Sequence, residues 1–170
     1  MSEEREKTVF GEVSRIMAYL SNESSESKNI RARFRHAVSV QPGEDPMLWG
    51  WLLSQMDDEM QGKNGNISCE EYAIYITLSM FAIGPRNDGK HTIAEATANA
   101  EIKRQKLVAV ETATGMEDLQ ASLRGLIKLL DSKGYGFSYG QLAEDLFWWQ
   151  KNKTKVARKW EREYARKEKE

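Results

Sequence analysis

Apolar residues recur along this chain at three- and four-residue steps, in stretches separated by Ser, Gly, Pro and Asn, the signature of successive amphipathic helices. Residues 5–20 carry Val9, Val13, Ile16, Met17 and Leu20 at that spacing and predict a first helix. The Ser-rich stretch 21–27 predicts a turn or loop, and a short helix bearing Arg31, Arg33, Phe34, Arg35 and His36 follows. Gln41-Pro42-Gly43 breaks the chain. Asp45-Pro46 then starts another helix, with a capping carboxylate and proline at its favoured first position. Trp49, Leu52, Leu53, Met56 and Met60 form the expected inward face. Ser68 and Glu71 have capping-box spacing and open residues 69–83, which are apolar almost all round and so predict the centre of the core. Residues 93–113 predict two short helices joined near Asn99, around Ile102, Leu107 and Val110, with no clean inward face.

The last third is the most regular part. Met116, Leu119, Leu123, Leu126, Ile127 and Leu130 mark one helix, with Thr114 and Glu117 at capping-box spacing and Gly134 as the left-handed residue that ends it. Ser138 and Gln141 form a second capping box, and Phe137 staples against Leu142. Tyr139, Leu142, Ala143, Leu146 and Trp149 share a face, and Trp148 points away from it; an outward tryptophan either covers another element of the same chain or marks an interface, and an interface is expected for Trp148. A basic segment from 151 to 169 carries Val156, Trp160 and Tyr164 at four-residue steps. Three helices in tandem complete the pattern. The expected fold is all-α, a single elongated bundle of about eight helices forming one domain over residues 1–170.

The same residues carry a resemblance, best matched over residues 101–166. Leu123-Arg124-Gly125-Leu126-Ile127, Tyr139-Gly140-Gln141-Leu142-Ala143-x-Asp145-Leu146 and the Trp149, Val156, Arg158, Trp160 ending resemble the small subunit of the type I-E CRISPR Cascade complex, the CasB family. That resemblance implies a non-catalytic helical subunit, present as a pair along an RNA-guided surveillance complex. The implied partners are the guide RNA and target DNA with the displaced strand, the backbone and large Cascade subunits, and a second copy of the chain. It implies no cofactor. The family places an arginine pair just before the position of Leu107; here Gln105 and Lys106 stand there.

Net charge changes the picture only when it is resolved along the chain. The formal sum is −1, yet residues 151–170 hold nine basic and four acidic residues, and residues 28–36 hold Lys28, Arg31, Arg33 and Arg35 with no acid. Acids gather in Glu3, Glu4, Glu6, Glu44, Asp45, Asp57, Asp58 and Glu59. On a helix through residues 151–166, Lys151, Lys155, Arg158, Arg162 and Arg166 share one side, opposite Val156, Trp160 and Tyr164. Lys103, Arg104 and Lys106 form a second cluster, and Arg124 and Lys128 a third. Such groups hold sugar-phosphate backbones without reading sequence. The rival reading is a helical protein-interaction adaptor that never touches nucleic acid, with Trp148 and the stripe on an acidic partner.

Candidate chemistry is sparse. His36, His91 and the lone Cys69 are too few for a zinc site of the usual ligand count, and a single cysteine excludes an internal disulfide. Residues 62–71 echo a calcium loop, but Gly62 stands where the first carboxylate belongs. Residues 84–92 echo a phosphate loop, but a helix, not a strand, precedes them, and His91 replaces the magnesium-binding hydroxyl. Asp57-Asp58-Glu59 and Glu144-Asp145 read as helix-surface charges. No apolar run spans a bilayer and no signal peptide is apparent, so no membrane partner and a cytoplasmic location are expected.

Overall fold

The computed structural model describes residues 8–170; residues 5–7 of the expected first helix and Glu3, Glu4 and Glu6 lie outside the described residues. Eight α-helices follow in order, α1 (Val9–Leu20), α2 (Ser25–Ala37), α3 (Pro46–Gln55), α4 (Cys69–Ile83), α5 (Ile93–Asn99), α6 (Arg104–Glu111), α7 (Met116–Lys133) and α8 (Tyr139–Glu168), with a 3-10 turn at Asp58–Met60 and no strand among the described residues. The fold is all-α, as the periodicity predicts.

Helix α4 is central, buried from Ala73 to Met80 and packed against α1, α2, α7 and α8. Its start is a complete capping box: the Glu71 N–H donates to Ser68 Oγ (3.0 Å), and Glu71 Oε1 accepts from the N–H groups of Ser68 (2.8 Å) and Gly62 (3.0 Å). The Glu71 carboxylate is thus occupied by backbone, which accounts for the calcium-like spacing. The loop at 84–92 also closes on itself. Asp88 accepts from the N–H groups of Lys90 and His91 and lies 2.7 Å from His91 Nδ1, so these backbone donors are taken by the loop's own carboxylate.

That loop seats the start of α8. The Asp88 N–H donates to the Phe137 carbonyl (3.1 Å), the Ser138 N–H to the His91 carbonyl (2.7 Å) and the Tyr139 hydroxyl to the Pro85 carbonyl (2.7 Å). The approach is close enough that a Cβ on Gly136 would come within 2.5 Å of the Arg86 carbonyl oxygen. A Cβ on Gly140 would meet the Phe10 ring at 2.9 Å, so this glycine lets α1 lie directly on α8. The Tyr139-Gly140 pair is therefore a packing device.

Three local expectations are corrected. Helix α2 begins at Ser25, capped by Ser24, so it takes in much of the expected Ser-rich loop. The Thr114–Glu117 capping box does not form. Gly115 is the N-cap of α7, and Asp118 Oδ2 instead accepts the Thr114 N–H (2.8 Å). At α8, Ser138 accepts from the Gln141 N–H, but the Gln141 side chain donates to Asp145 Oδ1 (3.1 Å), so only half of that box exists.

Candidate nucleic-acid interface

The expected helices over 139–150 and 151–169 are continuous in the ladder but broken in direction at Asn152, whose backbone (φ −157°, ψ 81°) is extended. Asn152 Oδ1 accepts the Lys155 N–H (3.2 Å), capping a fresh helix start. An unbroken helix would hold residues 145 and 159 about 21 Å apart. Here they touch. Asp145 accepts from Lys159 Nζ (3.1 Å to each oxygen), from Trp160 Nε1 (2.8 Å) and from Gln141 Nε2 (3.1 Å).

This latch folds the second arm of α8 (153–168) back onto the first (139–151). Asp145 is only 4 % exposed, which corrects its reading as a surface charge. Its neighbour Glu144 is committed too, accepting the Phe10 N–H at 3.0 Å. Burial alone would lower the Lys159 pKa, but Asp145 and Glu163 beside the ammonium hold it above its ordinary value. Val156, Trp160 and Tyr164 are buried and dock the second arm, with the Tyr164 hydroxyl donating to the Ile102 carbonyl (2.9 Å).

The opposite side of that arm is the basic stripe. Lys155, Arg158, Arg162 and Arg166 are exposed and none forms an ion pair among the described residues. Lys151 belongs to the first arm, a correction to its placement on the stripe; its ammonium lies 4.7 Å from the Phe147 ring centroid. Between the arms runs an open groove of about 920 Å³, walled by Trp148 on one side and by Lys155, Arg158 and Arg162 on the other. Trp148 is 45 % exposed, and its ring stands edge-on to Phe147 with the Lys155 ammonium 5.3 Å from its centroid.

The other basic groups divide. Arg31 donates to the carbonyls of Leu20 and Asn22 (2.8 Å to the latter), capping the end of α1. Arg33 Nη1 donates to both Asp45 oxygens (3.0 Å each), tying α2 to the cap of α3. Arg104 Nε pairs with Glu161 Oε2 (2.8 Å), joining α6 to α8. Arg35, Lys103, Lys106 and Lys128 are exposed, and Arg124 is half-buried.

Beneath Arg104 lies a carboxyl pair that sequence reasoning missed. Burial, then a hydrogen bond and charge repulsion from Glu161, push the Glu111 pKa up to about 8, with Arg104 opposing. Burial beside Glu161 thus favours the protonated form of Glu111. No group of three or more His, Cys, Asp or Glu side chains among the described residues is arranged to hold a metal ion. No helix among the described residues is long and apolar enough to cross a membrane.

Fold and groove define a helical protein organised around a charged, partly aromatic surface. Residues 30–164 match the family model of CRISPR-associated protein Cse2, and the chain belongs to that family, the Cse2/CasB small subunit of type I-E Cascade. The fold is similar to that of CasB from Thermobifida fusca (TM-score 0.69, 21 % identity, 92 % of this chain and 94 % of that one). It is also similar to a CRISPR-associated protein of the Cse2 family from Thermus thermophilus (TM-score 0.64, 20 % identity, 92 % and 95 % coverage). A structure of CasB from Thermus thermophilus gives a TM-score of 0.63 at 21 % identity, with 92 % and 95 % coverage. Among curated protein sequences, none matches.

Proposed function

We infer that this chain is a non-catalytic structural subunit of the type I-E Cascade surveillance complex in antiviral defence. It holds guide RNA, target DNA and the displaced strand through their backbones and so stabilises the R-loop. Base pairing to the guide carries the sequence information, and the protein supplies charge. The observation that supports this reading is the stripe Lys155, Arg158, Arg162 and Arg166, exposed on an arm two of whose acids are engaged: Glu161 pairs with Arg104 and Glu163 with Lys159. Arg35, Lys103, Lys106 and Lys128 add further exposed charge, and Arg124 lies half-buried. Backbone and large subunits and a second copy of the chain are its protein partners, in the cytoplasm.

The test is strand binding by fluorescence anisotropy across several salt concentrations. Each phosphate contact adds about 0.7 to the slope of log affinity against log salt for a single strand. Replacing Arg158 and Arg162 by Ala lowers that slope by roughly one to one and a half units, equally for every strand sequence. An unchanged slope with helicity intact refutes the stripe as a phosphate site.

A further inference from the structure

The geometry points to the groove between the two arms of α8 as a site for an unpaired nucleobase, stacked on Trp148 with its flanking phosphates on Lys155, Arg158 and Arg162. The proposal rests on the phosphate reading above and adds to it a reader of strandedness. A tryptophan this exposed needs an explanation, since large aromatics at helical spacing are usually turned inward. Trp148 forms one wall of a groove whose other wall is cationic. The Lys155 ammonium already lies over its ring at 5.3 Å and that of Lys151 at 5.9 Å, so the indole is embedded in positive charge.

Of the two acids that share the groove, Asp145 is ion-paired to Lys159, and Glu144 sets one negative charge against the three cations Lys155, Arg158 and Arg162. The Asp145 carboxylate is consumed by Lys159, Trp160 and Gln141, and Glu144 accepts the Phe10 N–H. What the groove offers is an aromatic ring, contacted by the Lys151 and Lys155 ammoniums, beside three cations free of ion pairs among the described residues. This is the chemistry that holds single strands, in which a base offers its face to an aromatic ring and the backbone follows a basic track. An apolar partner helix fits worse, because seating it would strip water from Lys151 and Lys155 without giving them a counter-charge. A duplex presents phosphates but no free base face, so the groove prefers unpaired strand at equal charge.

The experiment compares three probes on the full-length chain: a short single strand, the same backbone with abasic positions, and a duplex. Alanine replacement of a stacking aromatic costs about 1–3 kcal/mol per base, so the base-bearing strand binds about tenfold tighter than its abasic twin. Trp148→Leu removes that difference and leaves the duplex affinity alone, whereas Trp148→Phe keeps most of it. Quenching of the native tryptophan fluorescence by the base-bearing strand, and not by the abasic one, gives the same answer without any variant. Equal affinity of the wild-type chain for both strands, with the salt slope of the stripe intact, overturns the stacking site and leaves the phosphate reading standing. Absence of any strand binding overturns both. Loss of association between copies or with other subunits on Trp148→Leu, at unchanged strand affinity, assigns Trp148 to a protein contact and also overturns the proposal.

Discussion

Helix α2 and the second arm of α8 look alike in sequence: each strings arginines along a helix, with few acids nearby. In the structure they are opposites. Arg31 and Arg33 turn back onto the protein, one onto the carbonyls that end α1 and the other onto the aspartate that caps α3. Arg158, Arg162 and Arg166 turn outward and form no ion pair among the described residues. The partners of α2 lie 9 to 12 residues away in the chain, beyond any helical neighbour. In the second arm the acids that would neutralise the stripe are on its flank, occupied by Arg104 and Lys159. A basic run is free or committed according to what the fold brings beside it, and local sequence composition does not decide which.

The largest effect that sharpens this contrast is on the latch that orients the stripe. Asp145→Ala leaves the buried Trp160 N–H without its acceptor, while Lys159 keeps Glu163, and an unsatisfied buried donor costs about 1–3 kcal/mol. Urea unfolding should show that loss, and Asp145→Asn, which keeps a carbonyl for Trp160, a smaller one.

Next comes the pH dependence set by Glu111. Its folded pKa is raised from 4.5 to about 8, so the folded state binds a proton that the unfolded chain releases. That contribution is fully present below about pH 4.5 and is lost as pH rises through about 8. Melting temperature should therefore fall across that window, and Glu111→Gln should flatten the fall. A profile unchanged by the substitution assigns the pH dependence to other groups.

A smaller and more selective pair of effects tests the comparison directly. Arg31→Ala with Arg33→Ala should lower stability by about 1–2 kcal/mol, since partly exposed pairs and caps are each worth about 1 kcal/mol or less. The salt slope of strand binding should stay as it was. Arg158→Ala with Arg162→Ala should do the reverse, moving the slope and leaving the urea midpoint in place. A salt slope that drops with the α2 variants would return those arginines to the binding surface. Smallest of all, Asn152→Ala removes one cap hydrogen bond, about 1 kcal/mol, read as a slightly lower melting temperature.

Much of this was legible because it is local. The caps at Asp45 and Ser68, the left-handed Gly134, the buried face of α7 and the joint between α5 and α6 all follow from residues within a turn or two of one another. The same locality placed Val156, Trp160 and Tyr164 inward and Arg158 and Arg162 outward. What escaped depends on chain reversal. Nothing local marks Asp145 as buried, because its partners arrive only after the chain turns at Asn152. Arg33 reads as a free cation until α3 sets Asp45 beside it. Glu111 draws no expectation from its local sequence, because only the second arm lays Glu161 against it. Thr114 and Glu117 had the right spacing for a box, but a competing carboxylate at Asp118 reached the Thr114 backbone donor.

The turn at Asn152 also bears on the order in which the molecule assembles. The contacts that close the groove, from Asp145 to Lys159 and Trp160, span 14 and 15 residues, whereas the one from Phe10 to Glu144 spans 134. Loop-closure entropy grows as the logarithm of length, so the short closure is favoured over the long one by about 2 kcal/mol. The hairpin of α8 therefore has a lower entropic threshold for closure than the seating of α1 over Gly140. The surface that carries the charge is thus closed by contacts within one hairpin, while the seat of α1 on α8 joins the two ends of the described chain.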